Sequence, residues 1–302
     1  MSEPLTASPP SLSYELYPPR DAASRETVLE AVEALRATAP DYVSVTYNGT
    51  AERRAASVEL ITHLIENTRL RPLAHLTCVG ETRASLDALV SRLVGLGVRG
   101  VLALRGDLPA DPGGDRGELP FARYLVELIR QVEDRRSATL AAGRLAIGVA
   151  AYPTRHPESP SFQHDVEVLL SKERSGANFA ITQIYFEPAQ YAGLVAAARA
   201  AGVTIPIVPG IMPVNSVRRL LRLSALAGVA PDAALLSRLE GARSDAERRA
   251  IGVQAAAALA RAAFDDGAPG LHLYTFNDPL GSLDVVHELG LAGAGRALAP
   301  AL

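Results

Sequence analysis

The 302 residues include 48 % apolar and 21 % charged side chains and carry a formal net charge of −3. That supplies a large core and excludes the strongly basic footprint of a nucleic-acid-binding protein; the short runs ERR (52 to 54) and EDRR (133 to 136) read as solvated helix faces. The single cysteine, Cys78, leaves no internal disulfide and fits a reducing compartment. No apolar run approaches the ~20 residues needed to span a bilayer, and the Met-Ser-Glu-Pro start lacks signal-peptide character, so the cytoplasm is the expected location.

Along the chain, β-rich segments at 12 to 17, 41 to 47, 72 to 77, 98 to 104, 145 to 152, 178 to 186, 205 to 211 and 270 to 276 alternate with segments of helical period. TVLEAVEALRA (27 to 37) and SLDALVSRLVGLG (85 to 97) are examples of the latter. Near-continuous apolar runs such as VRGVLAL (98 to 104) suit strands buried on both faces, as in a parallel sheet covered by helices. Eight such units in one chain of this length predict a single (β/α)₈ TIM barrel over 12 to 289, with two extra helical patterns between strands 7 and 8 (230 to 263). Residues 1 to 11 and 290 to 302 read as tails. GLGVRG (95 to 100) has the spacing of a dinucleotide-binding loop, but it closes a helix and enters a strand, the reverse of what that loop requires. NGT (48 to 50) is a glycosylation sequon in pattern only.

Polar residues interrupt the strands where such a barrel places its chemistry, at the C-terminal ends. They are Glu15, Thr46, Tyr47, His75, Thr77, Arg105, Gly106, Asp107, Tyr152, Thr182, Gln183, Tyr274, Thr275 and Asn277. Each has an ordinary reading on its own. Glu15 suits a partly exposed carboxylate, His75 a neutral core histidine, Asp107 an Asx-turn, and Gln183 a bond to neighbouring backbone. Their convergence on one mouth is what points to a site, and nothing in the pattern points to a metal.

SYELYPPR (13 to 20), DYVSVTY (41 to 47), AHLTC (74 to 78), LALRGD (102 to 107), IGVAAYPTRHPES (147 to 159), SGANFAITQIYF (175 to 186), IPIVPGIMPV (205 to 214) and GLHLYTFN (270 to 277) resemble, in the same order, the motifs of the methylenetetrahydrofolate reductase family. The resemblance covers almost the whole chain, and the bacterial members it resembles are single barrels. It implies hydride transfer from NADH or NADPH to FAD, and from the flavin to 5,10-methylenetetrahydrofolate. Glu15 matches the family's general acid, Asp107 the aspartate near flavin and pterin, and Gln183 the glutamine on the pterin. Thr46, His75, Arg105, Gly106, Asp107, Tyr124, Ala151, Tyr152, His156, Asp165 and Lys172 fall on FAD contacts; Tyr274 and Asn277 join Glu15 and Gln183 on the substrate side.

The chain also departs from that family. Val168 and Ser171 stand where members often have Asn and Arg, and YNGTAER (47 to 53) replaces a glycine-richer loop. Val217 replaces a stacking aromatic, and Asp278 an Arg for the glutamate tail of folate. These departures imply FAD that is weakly held or absent, with direct transfer from the nicotinamide as the alternative. A barrel flavoenzyme resembling proline dehydrogenase would lack the set Glu15, Asp107 and Gln183, and a non-catalytic member binding folate or flavin is the rival from another class. The expected partner is a small molecule, with neither nucleic acid nor membrane; oligomeric state has no signal in the sequence.

Overall fold

In the computed structural model, the described residues are 9 to 291 apart from 48, 110, 112 and 137 to 142. The strands are β1 (Ser11–Leu16), β2 (Tyr42–Val45), β3 (Pro72–Thr77), β4 (Gly100–Leu104), β5 (Ala146–Ala151), β6 (Phe179–Thr182), β7 (Ile207–Val208), β8 (Gly210–Ile211) and β9 (Gly270–Tyr274). All pair in parallel, in the order β7-β6-β5-β4-β3-β2-β1-β9-β8. The two sheet ends, β7 and β8, are halves of the expected seventh strand. Pro209 separates them because it has no N–H to give to a ladder, while its carbonyl accepts from His272 N at 3.0 Å. The chain is thus an α/β TIM barrel that closes through a broken strand.

The helices lie between the strands in the alternating order expected: α1 (Ala22–Arg36), α2 (Ala51–Asn67), α3 (Arg83–Gly95), α4 (Ala122–Arg135), α5 (Phe162–Arg174), α6 (Pro188–Ala200), α7 (Val217–Ala227), α8 (Ala233–Gly241), α9 (Asp245–Asp265) and α10 (Pro279–Glu288). Most begin at a residue whose side chain accepts from the first turn: Asp21, Thr50, Thr82, Ser161, Ser216, Asp232 and Ser244 each cap one. In α1 the buried Val28, Ala31, Val32 and Leu35 repeat at three and four residues and lay one stripe on the sheet. Between β8 and β9 there are three helices. Long α9 packs between α6 and α10 as the barrel's own layer, and α7 and α8 are additions. Among the described residues no helix is long and apolar enough to cross a membrane.

Two local outcomes refine the sequence reading. GLGVRG closes α3 and leads into β4, with Gly97 at φ 97°, so it has no helix N-terminus to offer a phosphate. Ser11, placed in the N-terminal tail by its sequence, already belongs to β1 and donates its N–H to Pro269 O at 3.0 Å. The rest of that tail up to residue 8, and residues 292 to 302 of the other, lie outside the described residues, as does Asn48 of the sequon.

The barrel interior is built in layers by the parallel register. Ser13, Tyr42 and His272 share one level, and Glu15, Ser44 and Tyr274 the next one up. Leu73, Leu102 and Ile181 form a separate buried cluster, with the partly buried Phe179 and Leu104 against them. A fully buried apolar side chain of this size contributes roughly 1.5–3 kcal/mol, which helps to fix the strands that carry the polar residues.

Candidate active site

Glu15 points into the barrel from the upper part of β1 and is only 7 % exposed. Desolvation by burial raises its pKa to about 8, opposed by a hydrogen bond from the Tyr17 side chain. His75 Nε2, from β3, stands 3.7 Å from Glu15 Oε2. Burial holds the His75 pKa down at about 3, so the pair at neutral pH is a carboxylic acid beside a neutral imidazole and not an ion pair. Thr275 Oγ1 donates to Glu15 O at 2.6 Å and fixes the backbone under the acid.

Across the mouth, the ends of β4 and β5 form a charged wall. Arg105 makes a two-pronged bond to Glu158, at 2.7 and 2.9 Å. Asp165, in the first turn of α5, accepts from His156 N at 2.9 Å, and the His156 ring meets Tyr152 edge-on with centroids 4.7 Å apart. Lys172 is buried and donates from Nζ to Ala150 O at 2.9 Å; burial lowers its pKa to about 8. Asp107 is exposed at the rim and makes no side-chain hydrogen bond among the described residues, which leaves its carboxylate available and does not support the Asx-turn. Gln183 Oε1 accepts from Ile184 N at 2.9 Å, so what it presents further is the amide N–H₂.

Burial, followed by the nearby Glu15 carboxyl, pushes the Tyr274 phenol well above its ordinary pKa. Of the expected residues, Glu15 and His75 are brought together on one side, His156 and Asp165 on the other, and two more make hydrogen bonds within the frame. Tyr274 donates to Thr182 O at 2.7 Å, spanning the broken seventh strand, and a Cβ at Gly210 would lie 2.3 Å from that carbonyl and 2.7 Å from the tyrosine ring. Asn277 accepts from Tyr17 N and donates to Tyr17 O, both at 2.8 Å, with Phe276 and Asn277 at positive φ (52° and 61°) to make the turn.

Sequence reasoning missed Glu158 as partner of Arg105 and Arg123 altogether. Arg123, in the first turn of α4, reaches Ser171 Oγ at 3.3 Å and Tyr124 Oη at 2.6 Å. It therefore brings a guanidinium beside Ser171, where the family resemblance implies that one is missing, although 48 residues separate the two in sequence. The altered loop after β2 also has a local reason: Thr50 caps α2 and Ala51 begins it.

The donor set suits a flavin nucleotide. The buried Thr46 Oγ1, Ser44 Oγ, His75 Nε2 and Arg123 Nε have no hydrogen-bond partner among the described residues, a cost that a polar ligand in the mouth would remove. Gly106, at φ 89°, turns backbone toward the rim, while Arg105, Arg123 and Lys172 supply the cations that a diphosphate requires.

A sequence model described as methylenetetrahydrofolate reductase matches residues 2–290. The chain is 33 % identical over 282 residues to the 5,10-methylenetetrahydrofolate reductase of Salmonella typhimurium, covering 93 % of this chain and 91 % of that protein. It is 30 % identical over 286 residues to a probable methylenetetrahydrofolate reductase (NADPH) of Caenorhabditis elegans, covering 92 % of this chain and 42 % of that longer protein. Among solved structures, a Clostridium thermocellum protein described as binding two copies of 5-methyl-5,6,7,8-tetrahydrofolic acid superposes with a TM-score of 0.60 at 12 % identity, over 94 % of each chain. At that identity the likeness shows the fold alone.

Proposed function

Because the chain belongs to the methylenetetrahydrofolate reductase family, we propose that it reduces 5,10-methylenetetrahydrofolate to 5-methyltetrahydrofolate with a hydride from NADH or NADPH, by way of FAD. The observation that carries this reading is Glu15, a carboxyl group kept protonated near neutrality by burial inside a barrel mouth. A pKa close to the working pH is what a general acid needs.

FAD, when bound, would accept the hydride from the nicotinamide and pass it to the folate. Thr46, His75, Arg105, Gly106, Asp107, Tyr124, Ala151, Tyr152, His156, Asp165 and Lys172 would hold it, and Arg123 joins them. Glu15 gives its proton to the bridging amine nitrogen of the folate imidazolidine ring, the ring opens to an iminium cation at the methylene carbon, and the hydride completes the methyl group. The carboxylate left on Glu15 recovers a proton from solvent. Asp107, free at the rim, would lower the energy of the cation through its charge, and the Gln183 amide would donate to the pterin.

A second reading, direct transfer from the nicotinamide without flavin, draws support from Val168, which is 36 % exposed where an amide would hold the nucleotide. One experiment separates them. Flavin-free protein should gain turnover with NADH when FAD is added, and should quench flavin fluorescence on titration; full and unchanged activity without FAD would establish direct transfer.

A further inference from the structure

Beside the site lies a crevice that the reaction above does not use. It is bounded by Tyr274 and Thr275 at the barrel, by Asn215 and Arg219 on the α7 side, by Arg249 of α9, and by Asp278 ahead of α10. Thr275, which lines it, also donates to the Glu15 backbone carbonyl, so the crevice adjoins the strand that carries the proton donor. Arg249 is committed to structure, donating to Asp284 Oδ2 at 2.6 Å and to Leu280 O at 3.2 Å. Arg219 is not: its guanidinium meets Asp278 only at 4.0 Å, stands 6.0 Å from the Phe276 ring centroid, and makes no side-chain hydrogen bond among the described residues. Asp278 precedes α10 as its cap residue, yet its side chain makes no cap bond. A guanidinium with its donors unspent faces a carboxylate that nothing else holds.

Resting on the proposed function, we infer that Arg219 receives the terminal carboxylates of the folate glutamate tail, with Asp278 as the internal competitor that they displace. The mouth then has two separate groups of cations, and each takes one anionic ligand. Arg105, Lys172 and Arg123 face the nucleotide phosphates, whereas Arg219 faces the tail. The carboxylate of Asp278 follows the last strand, and the positive charge that faces it comes from α7, across a distance of 59 residues in sequence that only the fold closes. Asp278 sets a limit on affinity, because it must be left unpaired when the tail binds.

The probes are 5-methyltetrahydrofolate with one and with three glutamates and 5-methyltetrahydropteroate, which has no glutamate. Direct binding to wild type, Arg219→Ala, Arg219→Lys and Asp278→Asn is measured at low salt, alongside KM and kcat for methylenetetrahydrofolate. Arg219→Ala should weaken binding of both glutamylated probes about tenfold, close their gap to the pteroate, and raise KM more than it lowers kcat. Arg219→Lys should recover part of the loss, and Asp278→Asn should tighten the glutamylated probes a few-fold. Equal discrimination between glutamylated and pteroate probes in wild type and Arg219→Ala overturns the assignment, as does a change confined to KM for NADH or NADPH. Failure of all three probes to bind the folded wild-type protein would instead defeat the folate reading itself.

Discussion

The two walls of the barrel mouth solve opposite physical problems. On the side of β1, β3 and β9, Glu15 and His75 sit 3.7 Å apart and are both kept neutral by burial. On the side of β4, β5 and α5, Arg105, Glu158, Asp165 and His156 are partly exposed and tied by charge-assisted bonds. Low dielectric makes a proton's position on the first wall energetically decisive, whereas solvent screens charges on the second. On the proposed function, proton chemistry would fall to the neutral wall and anion binding to the charged one.

The sharpest way to break this division is the same substitution on each wall. Glu15→Gln preserves shape but removes the proton to be donated, and reduction of methylenetetrahydrofolate should fall about 10²- to 10⁴-fold while FAD titration is unchanged. Near wild-type kcat/KM in this variant would take Glu15 out of the mechanism.

Lys172→Met tests the charged wall at its most buried point. The Nζ–Ala150 bond is lost, which lowers stability, and so is a cation that on the proposed function makes one charge-assisted bond to the diphosphate; a bond of about 1.5–3 kcal/mol to the ligand corresponds to a roughly ten- to hundredfold weaker FAD dissociation constant by fluorescence quenching. Arg123→Ala should weaken FAD in the same direction but less, since its guanidinium is only half-buried; an unchanged constant would return Arg123 to a purely structural role beside Tyr124.

The pH dependence of rate and of stability should both trace the neutral wall. A donor that must be protonated loses rate as pH rises through about 8, near tenfold per unit beyond it. For stability, the Glu15 pKa is raised above the ordinary carboxylate value of 4.5, so between 4.5 and about 8 the unfolded chain ionises this group and the folded one does not. Unfolding then releases a proton, and the folded state loses stability as pH climbs through that window and levels off above it. Glu15→Gln should remove this component, so thermal melts of the two proteins compared at pH 6 and pH 9 should diverge, with the variant the relatively more stable at pH 9. Parallel melts would mean that Glu15 is not held neutral.

The strand-by-strand order, the barrel and the position of Glu15 were legible because burial on both faces writes itself into local apolar runs. What escaped the sequence was long-range. Pro209 was visible within the seventh strand, but its consequence, two half-strands bridged by Tyr274 across 92 residues, depends on the closure of the sheet. Tyr274 and Asn277 looked like ligand contacts because polar residues at strand ends do; the fold spends their polar atoms on Thr182 O and the Tyr17 backbone. Glu158 lies 53 residues from Arg105, and a one-dimensional pattern has no term for which exposed carboxylate will meet which arginine.

Glu158→Gln is the counterpart of the first substitution and has the smallest expected effect. Its side chain is about half exposed, and exposed ion pairs contribute about 0.2–1 kcal/mol, so stability should barely move. Its charge holds both prongs of Arg105, for which the diphosphate of the proposed FAD would have to compete. Removing that charge should tighten FAD a few-fold at low salt, and the gain should vanish as salt is raised to shorten the screening length. A loss of affinity that salt does not alter would assign Glu158 to holding Arg105 in place, and the charged wall would then work by geometry instead of by charge.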